Sequence, residues 1–189
     1  MEELKQLLES VTSNLKKDEL DVLFETIAKC LMTNYAIESG NGTFMFNEIE
    51  FYYYGSNHDD YRSDAKNPTR ITYERTSEPG CWFIHNYGAD ITFKSVNKEY
   101  GGGILIRSVE KVGAEPNHAI VGPVKCVNAI WPEVVNAFEP TCPNPQIVRI
   151  SPRNIELNDP DARIRVEKVE KEKCAWRYTV NGAKVSKRK

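Results

Sequence analysis

The hydrophobic pattern of this 189-residue chain changes its period at the turn-forming sequence SGNG, residues 39–42. Before this turn, apolar residues recur every three or four positions, as on one face of an α-helix. After it, most apolar segments are short, rich in aromatic and β-branched residues, and separated by turn-forming residues, which is typical of strands. The chain is therefore expected to begin with helices and to continue as a sheet, in an α+β fold.

The pattern predicts one domain with a mostly antiparallel, curved sheet as its core. Two helices are expected at the N-terminus, over residues 2–16 and from Asp18, as N-cap, to about Met32. A short helix is expected near residues 122–131, where a proline suits the first turn. The polar residues 55–69 are expected to form a long loop, Tyr87-Gly88 a tight turn and the GGG sequence at 101–103 a hairpin turn. Strands are predicted over residues 44–54, 81–86, 89–95, 102–110, 146–150, 162–170 and 174–180.

Charge and cysteine usage narrow the class of protein. The net charge is −2, but residues 163–189 hold ten Lys or Arg against three Glu, which leaves −9 on the rest of the chain. This basic end either contacts a polyanion or is simply solvated. The five cysteines include no CxxC pair, so neither a disulfide framework nor a zinc site is expected, and a cytoplasmic location is predicted. No secretory signal or membrane span is visible, and no membrane partner is expected.

The sequence EIEFYYY, residues 48–54, is the most informative for chemistry. In a strand, Glu48, Glu50 and Tyr52 would share one face, and the intervening Ile49 and Phe51 would face the core together with Tyr53. A carboxylate beside an aromatic ring could take a proton from water while the ring stacks on a planar ligand, provided that the pair faces an open hollow. The alternative is an edge strand with two solvated glutamates.

Two further residues are candidates for function. Tyr87, at the tip of a predicted hairpin, is placed to wedge into a partner or to cover a sheet edge. Arg107 lies in the apolar sequence ILIRSVE and needs an acid or a ligand to pair with, so a structural ion pair with Glu48 or Glu50 is the alternative to a site. The three histidines are dispersed and form no metal-binding motif.

Taken in order, these segments resemble the 3-methyladenine (alkyladenine, methylpurine) DNA glycosylase family. The resemblance covers about residues 20–182 and consists of short motifs in register. The segments that carry it are EIEFY (48–52), HDDYRS (58–63), NPTR (67–70), PGCWFIHNYG (79–88), LIRSVEK (105–111), GPVKCVNAI (122–130), SPRNIEL (151–157) and AWRYTV (175–180).

The resemblance implies a monofunctional enzyme that flips a damaged purine out of duplex DNA and hydrolyses its bond to the sugar, without metal or cofactor. It implies that Glu50 is the general base, that Tyr52 stacks on the flipped base and that Tyr87 intercalates into the duplex. Arg107 matches an arginine near the target nucleotide. The implied domains are a helical appendage at 1–17, a glycosylase-like domain at 18–182 and a basic tail at 183–189. A monomer is expected.

Some positions depart from the family pattern. Tyr61 stands nearest to a second stacking residue that is usually histidine, and Lys94 replaces an asparagine that helps to define the base pocket. Two alternatives to the enzyme therefore stay open. One is an inactive relative that binds nucleic acid or a nucleotide, and the other is a structural protein without a nucleic-acid partner.

Overall fold

The computed structural model describes residues 2–59, 76–114, 118–131, 144–164 and 174–187. It has the expected α+β, single-domain architecture, with a curled antiparallel sheet. The helices are α1 (Glu2–Glu9), α2 (Lys17–Asn34) and α3 (Pro123–Ile130). The strands are β1 (Tyr35–Ser39), β2 (Gly42–Gly55), β3 (His58–Asp59), β4 (Trp82–His85), β5 (Gly88–Thr92), β6 (Gly101–Lys111), β7 (Ala119–Val121), β8 (Gln146–Arg149) and β9 (Arg177–Thr179).

Strand β2 organises the sheet because it pairs along both of its edges. The continuous strand order is β4-β5-β6-β2-β1-β8. Strand β6 follows one edge of β2 over most of its length, and β1, β9 and β3 pair in turn along the other edge. A bulge near Asn47 shifts the register between β2 and β6. Residues 46–51 of β2 are all buried, so both faces of this strand are covered by other parts of the fold.

One face of β2 forms the core with helix α2. The rings of Phe24 and Phe51 stack with centroids 4.5 Å apart, and Phe93 and Trp176 complete the cluster. The indole N–H of Trp176 donates a 2.7 Å hydrogen bond to Asp21, which ties β9 to α2. The prediction that Ile49, Phe51 and Tyr53 form the core face is confirmed, since all three are fully buried.

The helices differ from the prediction at their ends. Helix α1 stops at Glu9, and Val11 beyond it is still buried in the core. The N-cap of α2 is Lys16 and not Asp18, because the backbone N–H of Lys16 donates to the Glu19 carboxylate over 2.8 Å. Leu4 and Leu8 of α1 also belong to the core, while the proposed domain boundaries remain a prediction. Among the helices of the described residues, none is both long and apolar enough to span a membrane.

Four strand and loop predictions need correction or lie outside the described residues. Strand β1 directly follows α2 and was not expected, and residues 39–42 form its turn to β2. The GGG sequence at 101–103 is part of β6 and not a turn. The loop predicted at 55–69 contains β3, and its residues 60–69 lie outside the described part of the chain, as do residues 165–170 of the strand predicted at 162–170. Residues 162–164 do not form a strand.

Candidate active site

The second face of β2 carries two carboxylates, Glu48 and Glu50, and the phenol of Tyr52. Both carboxylates are completely buried, and Tyr52 is half-buried. Strand β6 adds Arg107 to the same cluster, and Arg177 comes from β9, where it pairs with Glu50 in the backbone register. Strands β2, β6 and β9 thus bring two acids and two arginines together on the side of the sheet opposite the aromatic core.

Three donors among the described residues hold the Glu50 carboxylate. Its Oε2 atom accepts hydrogen bonds from the Tyr52 hydroxyl at 2.7 Å and from Arg107 Nη1 at 3.1 Å, and its Oε1 atom accepts one from the backbone N–H of Ile164 at 2.6 Å. Burial raises the pKa of Glu50, and Arg107, the Ile164 N–H and the Tyr52 hydroxyl oppose that rise. Burial, followed by the charge of Glu50, raises the pKa of Tyr52 well above its usual value.

The expectation that Glu50 faces an open hollow is wrong for this structure. The side chain is 0% exposed, and the segment Ala162–Ile164 lies against it. The guanidinium carbon of Arg163 lies 4.7 Å from the centroid of the Tyr52 ring, and its Nη1 donates to the carbonyl oxygen of Phe51 over 3.0 Å. The carboxylate and the ring are adjacent, as predicted, but this segment covers them.

The neighbouring carboxylate, Glu48, also accepts hydrogen bonds on both of its oxygens. It accepts hydrogen bonds from Arg177 Nε at 2.7 Å, Arg107 Nε at 3.3 Å and the backbone N–H of Ser186 at 2.6 Å. The interpretation of Glu48 and Glu50 as solvated residues of an edge strand is therefore wrong. Of the two acids left open as partners of Arg107, the structure uses both, and one guanidinium bridges them.

The hairpin of β4 and β5 presents Tyr87 at its tip, with 60% of the residue exposed. The backbone N–H of Tyr87 donates to His85 Nδ1 over 3.2 Å, and His85 Nε2 lies 3.3 Å from an oxygen of Asp90. Asp90 pairs in register with Leu105 of β6, which in turn pairs with Glu50. At about 4.8 Å for each strand spacing, β5 lies roughly 10 Å from the Glu50 strand, on the same sheet.

The two other predicted site residues are Lys94 and Tyr61. Lys94 follows β5 and is half-buried, and no hydrogen bond or ion pair connects it to Glu50, Tyr52 or Arg107 among the described residues. Tyr61 lies outside the described residues, so the structure gives it no position.

The sequence reasoning missed Arg163, Ile164, Arg177 and Ser186. A signal was present for Arg177, because Trp176 and Tyr178 beside it are core residues, and an alternating strand places Arg177 on the opposite, acidic face. Ile164 and Ser186 contact the carboxylates through backbone N–H groups outside strands, where side-chain type gives no periodic signal.

The described residues offer no evident metal or cofactor site near Glu50. No group of three or more His, Cys, Asp or Glu in the described ranges is placed to hold a metal ion. A cavity of about 480 Å³ does exist, but it lies between α1 and strands β1, β4, β5 and β8. It is lined mainly by apolar side chains such as Leu4, Leu8 and Trp82, and no residue of the Glu50 cluster contributes to it.

Comparison with known protein families finds no family model that matches the chain, and a search of curated proteins finds no match either.

Proposed function

We propose that this protein is a monofunctional DNA glycosylase that excises alkylated or deaminated purines from duplex DNA. The observation that supports this function is the contact of Glu50 with Tyr52, in which a carboxylate of raised pKa adjoins an aromatic ring on a sheet that also carries the exposed Tyr87. The resemblance of the motifs, in register over most of the chain, agrees with this use of the three residues.

In the proposed reaction, Tyr87 enters the base stack as the damaged nucleotide leaves it, and the flipped base stacks on Tyr52. The Glu50 carboxylate accepts a proton from a water molecule whose oxygen bonds to C1′ of the sugar. The bond from C1′ to the purine nitrogen breaks, and its electron pair leaves with the base. Arg107 positions the carboxylate through the 3.1 Å hydrogen bond.

A raised pKa suits this role. A general base is most effective when its pKa lies near the working pH, because it is then both ionised and sufficiently basic. Desolvation of Glu50 shifts its pKa in that direction. Arg107 and Arg177 neutralise the charge of the two buried acids, which is how a sheet face can hold both.

The proposal extends to the setting of the reaction. Damaged double-stranded DNA is the partner, the protein acts as a monomer in the cytoplasm, and no metal or cofactor takes part. Cys30, Cys81 and Cys126 form no disulfide among the described residues, which suits a reducing compartment.

A second candidate is a protein of the same architecture that binds nucleic acid or a nucleotide without cleaving it. The complete burial of Glu50 favours this candidate, because water must reach the carboxylate for hydrolysis. A structural protein in which Glu50 and Arg107 form only an ion pair is the third possibility, and the closed 3.1 Å contact agrees with it.

Base release from a duplex that contains one methylpurine or hypoxanthine separates these candidates. We expect the wild-type protein to generate abasic sites and Glu50→Gln to lose at least about 100-fold in the single-turnover rate, with DNA affinity retained. Glu38→Gln, an exposed substitution on β1, is the matched control. Specific binding without base release would favour the second candidate, and the absence of both would favour the third.

A further inference from the structure

The segment Ala162–Ile164 lies against both Glu50 and Tyr52. Arg163 is 2% exposed, and its guanidinium lies over two aromatic rings, 4.7 Å from the centroid of Tyr52 and 5.2 Å from that of Trp176. A guanidinium at this distance makes a cation–π contact. Stacked aromatic groups have similar centroid separations, so a purine on this face of Tyr52 would overlap the volume that Arg163 fills.

The same segment also donates a hydrogen bond to the Glu50 carboxylate. The Ile164 N–H donates to Glu50 Oε1 over 2.6 Å, and Tyr52 and Arg107 both donate to Oε2. Ile164 itself is 7% exposed. A water molecule that used Oε1 as proton acceptor would have to share this oxygen with the Ile164 N–H or displace it.

The contacts of the segment fall into two groups. Directly before the segment, Asp161 is attached to β9 by two reciprocal 3.0 Å backbone hydrogen bonds to Arg177 and by a 3.2 Å ion pair with the same residue. Beyond that anchor, the hydrogen bonds to the site include those from Arg163 Nη1 to the Phe51 carbonyl and from Ile164 to Glu50. The contacts that cover Glu50 and Tyr52 are thus distinct from the pairing at Asp161.

From these contacts we infer that Arg163 is an internal occupant of the base site and holds the protein in an autoinhibited state until it is displaced. The inference concerns regulation of the site in the proposed function and rests on that function for its consequence in catalysis. A planar cation from the protein stacks where the substrate base would stack, and the adjacent backbone caps the general base. The apparent affinity for a flipped base is then reduced by the fraction of molecules in which Arg163 has moved away.

Chemical modification of Tyr52 tests the occupancy without reference to catalysis. Tetranitromethane nitrates accessible tyrosine rings, and peptide mass mapping locates the product. We expect Arg163→Ala to raise nitration of Tyr52 several-fold over the wild type, while the buried Tyr53 and Tyr178 stay unreactive. Arg149→Ala, which removes an exposed arginine elsewhere on the sheet, should leave the nitration pattern unchanged.

Arg163→Gln serves as a second variant if Arg163→Ala does not fold, since a glutamine amide can still donate to the Phe51 carbonyl but carries no charge. Circular dichroism identifies which variant is folded. Equal nitration of Tyr52 in the wild type and in the folded variant would overturn the inference.

Single-turnover base release from a methylpurine duplex, measured on the same proteins, separates the inference from the proposed function. We expect the variant to release base about tenfold faster than the wild type, because Arg163 no longer covers Tyr52 in any of the molecules. If Tyr52 becomes reactive and neither protein releases base, Arg163 occupies the site but the proposed function is wrong. If both proteins release base equally and Tyr52 reactivity is the same, the function stands and the autoinhibition does not.

Discussion

Arg107 donates from Nη1 to the Oε2 atom of Glu50 over 3.1 Å, and both side chains are removed from solvent. The same guanidinium donates from Nε to Glu48. Arg107 therefore links Glu50, which contacts the candidate stacking ring of Tyr52, to Glu48, which accepts a hydrogen bond from the backbone of Ser186. A buried acid with such partners affects folding stability as well as chemistry, and the two effects can be separated by substitution.

The pH dependence of stability should reveal the buried Glu50. Because its pKa is raised in the folded state, its ionisation opposes folding, and its stabilising contribution is full below the unfolded pKa and lost as the pH rises through the folded pKa. Glu50→Gln lacks this titration. We expect the free energy of unfolding of the variant, relative to the wild type, to increase as the pH rises above about 4, the ordinary pKa of a glutamate, as measured by urea denaturation. A difference that does not vary with pH would contradict the raised pKa.

Glu48→Gln should destabilise the fold far more than a surface substitution. Among the described residues, the change leaves Arg107 with only Glu50 as an acidic partner, and it places an amide against the donors of Arg177 and Ser186. We expect a loss of about 3–5 kcal/mol in the free energy of unfolding. The exposed Glu38→Gln should change stability by less than about 0.5 kcal/mol, and a similar small loss for Glu48→Gln would show that the network contributes little.

Tyr87→Ala should affect DNA handling without affecting the fold. The side chain is 60% exposed at a hairpin tip, so its removal should change the free energy of unfolding by less than about 0.5 kcal/mol. Under the proposed function, base release from duplex DNA should fall by about tenfold or more, because no side chain then fills the gap that the flipped nucleotide leaves in the base stack. Val112→Ala removes a 52% exposed side chain at another turn and should leave base release unchanged. Equal rates for the two variants would exclude the wedge.

Gly102→Ala should disturb both the fold and Tyr52. Gly102 has φ +152°, and a Cβ added there would lie 1.9 Å from the Tyr52 carbonyl oxygen, so the backbone of β2 would have to move. We expect a loss of about 3 kcal/mol or more in the free energy of unfolding. Gly113→Ala is the control, because it shares a positive φ of +75° but meets nothing within 4 Å, and it should cost only about 1 kcal/mol. Equal losses would show that the clash is relieved cheaply.

Local periodicity was enough to predict the α+β architecture and the core face of β2. Ile49, Phe51 and Tyr53 alternate with polar residues, and a strand translates that alternation directly into two faces. Strand β1 was missed because it follows α2 without a turn-forming residue between them. The GGG sequence was misassigned because glycine's tolerance of positive φ is used here inside a strand, where β6 closely approaches the β2 backbone.

The neighbours of Glu48 and Glu50 were less predictable than the acids themselves. The register of β2 with β9 and the contacts of Ile164 and Ser186 join residues more than one hundred positions apart in the sequence. Whether an acid on a strand face is solvated or covered depends on where such distant segments return. Alternation identifies the face, but the long-range topology decides its burial.

Strand β2 carries the aromatic core on one side and the acidic cluster on the other, with a bulge near Asn47 that determines which residues face each way. A slip of one position along this strand would exchange carboxylates for aromatic rings on both sides at once. The cluster is therefore an integral part of the cooperative unit and not an addition to it. Heating should consequently abolish the near-ultraviolet circular dichroism of the aromatic core in one transition. The hydrogen-exchange protection of the amides that contact the acidic cluster should be lost in the same transition.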